Sequence, residues 1–241
     1  MKSLLEQLPS IVAEGKREAE RVMERAESNY RLGLQTRELV VPSRDTNWQD
    51  FLTNASRSTN LDESSSRNQL VYGDNLLAMA ALLAGGVDFP SMRGDVDLIY
   101  IDPPFDSKAD YRSKILISGD LIEQLPTALE QFAYSDTWAD GTASYLRAIV
   151  PRLYLMKELL SDEGNIFVHL DWHVVHYVKI VMDTIFGRDN FKNDIVWKRK
   201  GGSANPSNQF GIVTDSILFY SKSNDSFFSP SYSLDNDEAR N

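Results

Sequence analysis

Between Ser3 and Leu34, apolar residues recur at three- and four-residue spacing. Leu4, Leu5, Leu8, Ile11 and Val12 begin a stripe that Ala19, Val22, Met23 and Ala26 continue. That period predicts an amphipathic helix with a Glu-, Lys- and Arg-rich outer face, which serves either as a packing appendage or as a dimer contact. A second short element holds Trp48, Phe51 and Leu52. The Ser/Asn-rich stretch from Thr53 to Asn68 reads as a linker or long loop. After it the pattern becomes an alternation of short β-rich runs and helical segments. Strands are expected at Leu70–Tyr72, Val96–Ile101 (VDLIYI), Asn165–Leu170 (NIFVHL), Ile195–Trp197 and Ser216–Tyr220. Helices are expected at Asn75–Ala84, closed by Gly85-Gly86, at Tyr145–Leu160 and at Trp172–Phe186. Continuous apolar runs such as VDLIYI are typical of strands buried on both faces. The alternation predicts an α/β fold: a parallel sheet with helices on both faces, preceded by a helical appendage. The expected division is residues 1–66 for the helical region and linker, and 67–241 for the α/β domain.

The candidate chemistry lies where VDLIYI ends. In open α/β sheets, ligands sit beyond the C-terminal ends of the strands, and the residues leaving this strand are Asp102-Pro103-Pro104-Phe105. The two prolines fix two φ angles and donate no N–H. A residue before proline is held extended. The turn therefore offers a carboxylate, bare carbonyl oxygens and an aromatic ring from a rigid corner. An exocyclic base amine is a poor nucleophile because its lone pair is delocalised into the ring. Two acceptors, the Asp102 carboxylate and the Pro103 carbonyl, can hold its two hydrogens and favour a pyramidal nitrogen. Phe105 can stack on a base rotated out of the duplex. Such a site acts by positioning and electrostatics.

The corner resembles the Asp-Pro-Pro-Tyr/Phe motif of the DNA amino-methyltransferases. The neighbouring segments are similar to that family in order: LVYGDNLLAM (70–79), FAYSDTW (132–138), RLYLMKELL (152–160), GNIFVHLD (164–171), MDTIFGRDNF (182–191), IVWKRKGGS (195–203) and DSILFYSK (215–222). The resemblance implies a Rossmann-like, S-adenosylmethionine-dependent fold. It also implies methyl transfer to adenine N6 in double-stranded DNA within a restriction–modification system. An opening aspartate goes with adenine in this family and a serine with cytosine N4, so cytosine N4 is the alternative. Catalysis falls by resemblance to Asp102, Pro103, Pro104 and Phe105. Cofactor contact falls to Asp74, Asn75 and Asp102, Asp74 being equally suited to cap the following helix. The family also has a glycine-rich FxGxGT turn for the methionine end of the cofactor. None occurs here, so the expectation is a shortened chain, an interrupted gene or one part of a split enzyme. Such a piece would be inactive alone and would await a C-terminal complementing segment, a restriction subunit or a homodimer partner.

Composition sharpens this picture. The chain has no cysteine, which excludes the thiolate attack used for cytosine C5 methylation and removes disulfides and thiol metal ligands. A net charge of −10 opposes binding to phosphates, but a local groove can carry the opposite sign. From Lys192 to Lys200, four basic residues face one acidic residue. Lys198, Arg199 and Lys200 are the expected DNA-phosphate contacts. His169, Asp171, His173 and His176 could be read as metal ligands. Asp171, however, lies where a strand gives way to a helix, a natural capping position, and no metal site is expected. No apolar run approaches the roughly 20 residues of a membrane span, and no secretory leader is visible, so a cytoplasmic location is expected.

Overall fold

The computed structural model describes residues 3–28, 70–71, 73–86, 90–103, 141–199 and 211–229, together with the backbone of 113–117 and 120–124. Among these described residues the elements follow in chain order: α1 (Leu4–Glu27), α2 (Asn75–Ala84), β1 (Val96–Ile101), β2 (Ser113–Ile117), β3 (Asp120–Gln124), α3 (Thr142–Leu159), β4 (Leu160–Leu170), α4 (Val175–Phe186), a 3-10 turn (Arg188–Asn190), β5 (Phe191–Lys198) and β6 (Thr214–Ser221). Trp48, Phe51, Leu52 and the expected linker lie outside the described residues.

Helix α1 begins with a capping box, in which Ser3 and Glu6 exchange side-chain-to-backbone hydrogen bonds. Its apolar stripe is buried through Leu8, Ile11, Ala19, Val22 and Ala26, against α3 and α2. Arg93, just before β1, bridges Glu27 at the end of α1 (2.8 Å) and Glu158 on α3. Helix α2 occupies the predicted span and ends at Gly85, whose φ of 67° favours glycine.

The main sheet has the order β1-β4-β6-β5. β1 and β4 run parallel, whereas β6 is antiparallel to both of its neighbours. The α/β class therefore stands, but the expected all-parallel sheet does not form. The cause is the connection from 199 to 213, which is rich in Gly, Ser and Asn and has no helical pattern. A parallel return ordinarily needs a crossover helix. The expected strand at Leu70–Tyr72 is also not found in its described part: Leu70 and Val71 are not in a strand, and Leu70 is 91% exposed. A separate antiparallel pair, β2–β3, forms where no strand is expected from the sequence.

Ile166, Val168 and Leu170 on β4 share a core with the buried residues of all four helices and with Leu218 and Tyr220 of β6. Alternation along the strands sends Leu98, Tyr100, Phe167, His169, Ile217, Ile195 and Trp197 to the opposite face. There, Phe167 and Phe219 stack with centroids 4.4 Å apart. Leu98 is 61% and Tyr100 52% exposed. Burial of β1 on both faces is therefore corrected: among the described residues, one of its faces is open.

Candidate active site

Asp102 and Pro103 leave β1 immediately after Ile101. Ile101 stands beside Val168 in the parallel register, so the corner emerges beside the last residues of β4. Asp102 is exposed and Pro103 half-buried. The carboxylate that the sequence singles out thus faces outward at the C-terminal end of a parallel strand pair. Pro104 and Phe105 lie outside the described residues.

The antiparallel placement of β6 has a geometric consequence. It makes β5 parallel to β1 and β4, so the end of β5 and the start of β6 come to the same sheet end as Asp102. Lys198 closes β5 there, opposite Thr214, and is exposed. Three inter-strand steps separate β5 from β1, roughly 14 Å across the sheet. Arg199 continues the ladder by donating its backbone N–H to the Val213 carbonyl (2.8 Å), and its Nε lies 2.9 Å from Asp215 Oδ1. One of the three expected phosphate contacts is therefore held inward by a buried carboxylate. Lys200 lies outside the described residues.

Asp74 caps α2: its Oδ1 accepts from the backbone N–H of Leu76 (2.8 Å) and of Leu77 (3.2 Å). Its other oxygen lies 3.8 Å from Arg152 Nη2. Asn75 accepts from Arg152 Nε at 2.6 Å. Burial on α3 lowers the Arg152 pKa from its ordinary value, and the nearby Asp74 charge partly counters that effect. The two residues expected near the cofactor thus share one half-buried arginine, which the sequence reading did not single out.

The histidines do not converge on one point. Tyr100 Oη is 2.9 Å from His169 Nδ1. His173 is locked by Asp171, which accepts from its backbone N–H (3.0 Å) and lies 2.5 Å from its Nδ1. Trp172 stacks on the His173 ring. Asp171 is not the N-cap of α4, which is Val174 without a side-chain bond; its carboxylate closes the preceding turn instead, and the Val175 N–H donates to its carbonyl. No group of three or more metal-ligating side chains occurs among the described residues. No helix among them is long and apolar enough to cross a membrane.

Tyr100 is the site feature that sequence reasoning missed. It stands two residues before Asp102 and so shares its face of β1. Burial first, and the Asp102 charge second, raise the pKa of its hydroxyl. The signal was a polar-tipped ring which, with Asp97, interrupts an aliphatic run, and which VDLIYI read as a fully buried strand conceals.

Comparison with known proteins adds to this geometry. An N6/N4 methyltransferase family model, described as DNA methylase, matches residues 96–241. The chain is 31% identical over 182 residues to the StyLTI Mod subunit, a type III restriction-modification enzyme of Salmonella typhimurium. That match covers 71% of this chain and 26% of the relative. It is 33% identical over 156 residues to the type II methyltransferase M.EcaI of Enterobacter cloacae, covering 64% of this chain and 29% of that protein. The chain thus spans between a quarter and a third of the length of these two relatives. A crystal structure of an M1.HpyAVI-SAM complex aligns over 58% of this chain and 51% of its own, with 14% identity and a TM-score of 0.32.

Proposed function

This chain belongs to the DNA methylase family, and we propose from that premise that it carries the methyl-acceptor corner of an enzyme that methylates adenine N6 in double-stranded DNA. The observation that carries this reading is the exposed Asp102 carboxylate, presented where β1 ends and proline begins. S-adenosylmethionine, when bound, supplies an electrophilic methyl group. The exposed, outward-facing carboxylate is open to an amine beside such a donor. Asp102 and the Pro103 carbonyl accept the two amine hydrogens and turn the nitrogen lone pair outward. An amine that is methylated has to lose one proton, which Asp102 would accept and pass to water. Phe105 is assigned the stacking role on the flipped base. Asp74 and Asn75 are assigned to the cofactor, with Asp74 Oδ2 directed to Arg152 and its Oδ1 used for capping. Lys198, Arg199 and Lys200 are assigned to the DNA backbone. A cytoplasmic restriction–modification system, with a restriction subunit or a second copy as partner, is the setting this reading implies.

The aspartate at the motif's first position favours adenine over cytosine N4. The test is Asp102→Ala in the protein that carries this chain, with nucleoside analysis of the treated DNA. Wild type should yield N6-methyladenine. The variant should lose at least about a hundredfold in transfer while still binding DNA. Undiminished transfer by Asp102→Ala would refute the reading, and N4-methylcytosine in the wild-type product would correct the base.

A second reading is favoured by β1, which has a neighbour on one side only among the described residues. Such an edge offers unpaired backbone groups to another strand. In this reading, the 241 residues are a module that becomes active when a complementing segment completes the sheet. Calorimetry with S-adenosylmethionine separates the two: micromolar binding by these residues alone would argue against the module.

A further inference from the structure

A row of polar side chains crosses the open face of the sheet. Tyr100 on β1 meets His169 on β4, with Oη 2.9 Å from Nδ1. On the other side of the same imidazole, Nε2 lies 3.4 Å from Asp215 Oδ2 on β6. The second oxygen of Asp215 is 2.9 Å from Nε of Arg199, at the end of β5. The row therefore touches all four strands in their order β1-β4-β6-β5. Asp102, the proposed methyl acceptor's partner, sits two residues beyond Tyr100. The proposed phosphate-binding stretch begins at Lys198, beside Arg199.

Three features argue that this row is built rather than incidental. Asp215 and the His169 ring are largely buried, and burying charge beside apolar neighbours is costly unless partners are fixed. The contacts are close along the whole row: Tyr100 Oη and His169 Nδ1 are within hydrogen-bond distance, and the polar approaches of His169 to Asp215 (3.4 Å) and of Asp215 to Arg199 (2.9 Å) carry it onward. Each link also joins a different strand. The row therefore holds the relative height of the four strand ends, which ladder hydrogen bonds alone leave free to shear slightly at an exposed edge.

We propose that Tyr100, His169, Asp215 and Arg199 are positioning residues that keep the Asp102 corner and the basic stretch in one register, so that the grip on DNA phosphates is transmitted to the methyl-acceptor site. The inference rests on the function proposed above. None of the four touches the reacting atoms in this scheme. A displacement of about 1 Å at a reacting centre can cost on the order of a hundredfold in rate, so fixing strand ends to that tolerance is a sufficient role.

The test uses Tyr100→Phe and His169→Gln. The first removes a single hydroxyl from a half-exposed ring and leaves folding undisturbed. The second keeps a polar group near the position of Nε2, facing Asp215, and loses the Nδ1 acceptor. In the 241-residue chain, nuclear magnetic resonance should show the Arg199 Nε–H signal moving in Tyr100→Phe while α1 and α4 amides stay in place. A stationary Arg199 signal overturns the continuity of the row. In the protein that carries this chain, each variant should lower kcat roughly ten- to a hundredfold with KM for DNA unchanged within about twofold. The double variant should be no slower than the worse single one, because both cut the same link. Additive losses, a change in KM alone, or full activity of both single variants would overturn the proposal. If Asp102→Ala abolishes transfer while Tyr100→Phe and His169→Gln are fully active, this inference fails alone. If Asp102→Ala is active, the reading beneath it fails first.

Discussion

The hydroxyl of Tyr220 donates to Asp183 Oδ1 at 2.7 Å and lies 3.3 Å from the Lys179 carbonyl. Lys179 Nζ also meets both oxygens of Asp183, at 2.7 and 2.9 Å, and sits 4.0 Å above the centroid of the Phe191 ring. Tyr220 and Lys179 thus share one carboxylate under the β6 end of the core. Burial, with the hydrogen bond and charge of Asp183 next, pushes the Tyr220 hydroxyl well above the usual phenol range. A group whose pKa is raised on folding stabilises the fold fully below its unfolded value, and that contribution is lost as pH rises further. The loss should begin near pH 10, the ordinary tyrosine value. Tyr220→Phe should cost about 1 to 2 kcal/mol at neutral pH and should flatten the alkaline fall in stability. Urea unfolding at pH 7 and above pH 10 measures both effects. An alkaline slope unchanged in Tyr220→Phe would assign it to other residues.

At the scale of elements, the docking of α1 on α3 turns on a small residue. A Cβ added at Gly15 would be 2.9 Å from Val150 Cβ and 3.3 Å from Pro151 Cδ, and closer still to Val150 Cγ1. Val150 is fully buried and cannot retreat. Alanine gains about 1 kcal/mol over glycine in a helix interior, but overpacking costs about 1 to 3 kcal/mol, and here the contact is with a closed core. Gly15→Ala should therefore destabilise the protein by roughly 1 to 2 kcal/mol net in equilibrium unfolding. A stabilised variant would mean that α1 rides loosely on α3. Long periodic elements such as α1, α2 and α4 were legible in the sequence because burial sets their period. The β1 and β4 cores were legible because their aliphatic runs are dense. Strand direction was not read from alternation alone, although the 199–213 sequence, which lacks a helical pattern, carried that information. The β2–β3 pair was missed because SKILI and DLIEQ are short and ambiguous between strand and helix. Asp102 was legible as a carboxylate before two prolines. Its links to Tyr100 and, through it, His169 depend on which strands become neighbours, and local pattern does not contain that.

At the scale of the whole chain, a net charge of −10 opposes the polyanionic partner that the proposed function requires, so a grip on DNA would have to be local. The topology supplies the place by bringing the end of β5 to the same sheet end as Asp102. Within that stretch the charges are unequal. Arg199 has Asp215 at 2.9 Å, so much of its field is spent inside the protein. Lys198 is exposed and faces outward at the strand's end. Each released phosphate contact changes the slope of log affinity against log salt by about 0.9 for duplex DNA. Lys198→Gln should therefore lower that slope by about 1 and weaken binding equally across unrelated sequences. Arg199→Gln should change the slope by less. It should instead lower thermal stability, because it leaves the Asp215 carboxylate buried with only the His169 contact on that side. Binding titrations of both variants at several salt concentrations decide the matter. A larger slope change in Arg199→Gln than in Lys198→Gln would mean that the guanidinium leaves Asp215 when DNA arrives, and that the inward anchor is itself the outward contact.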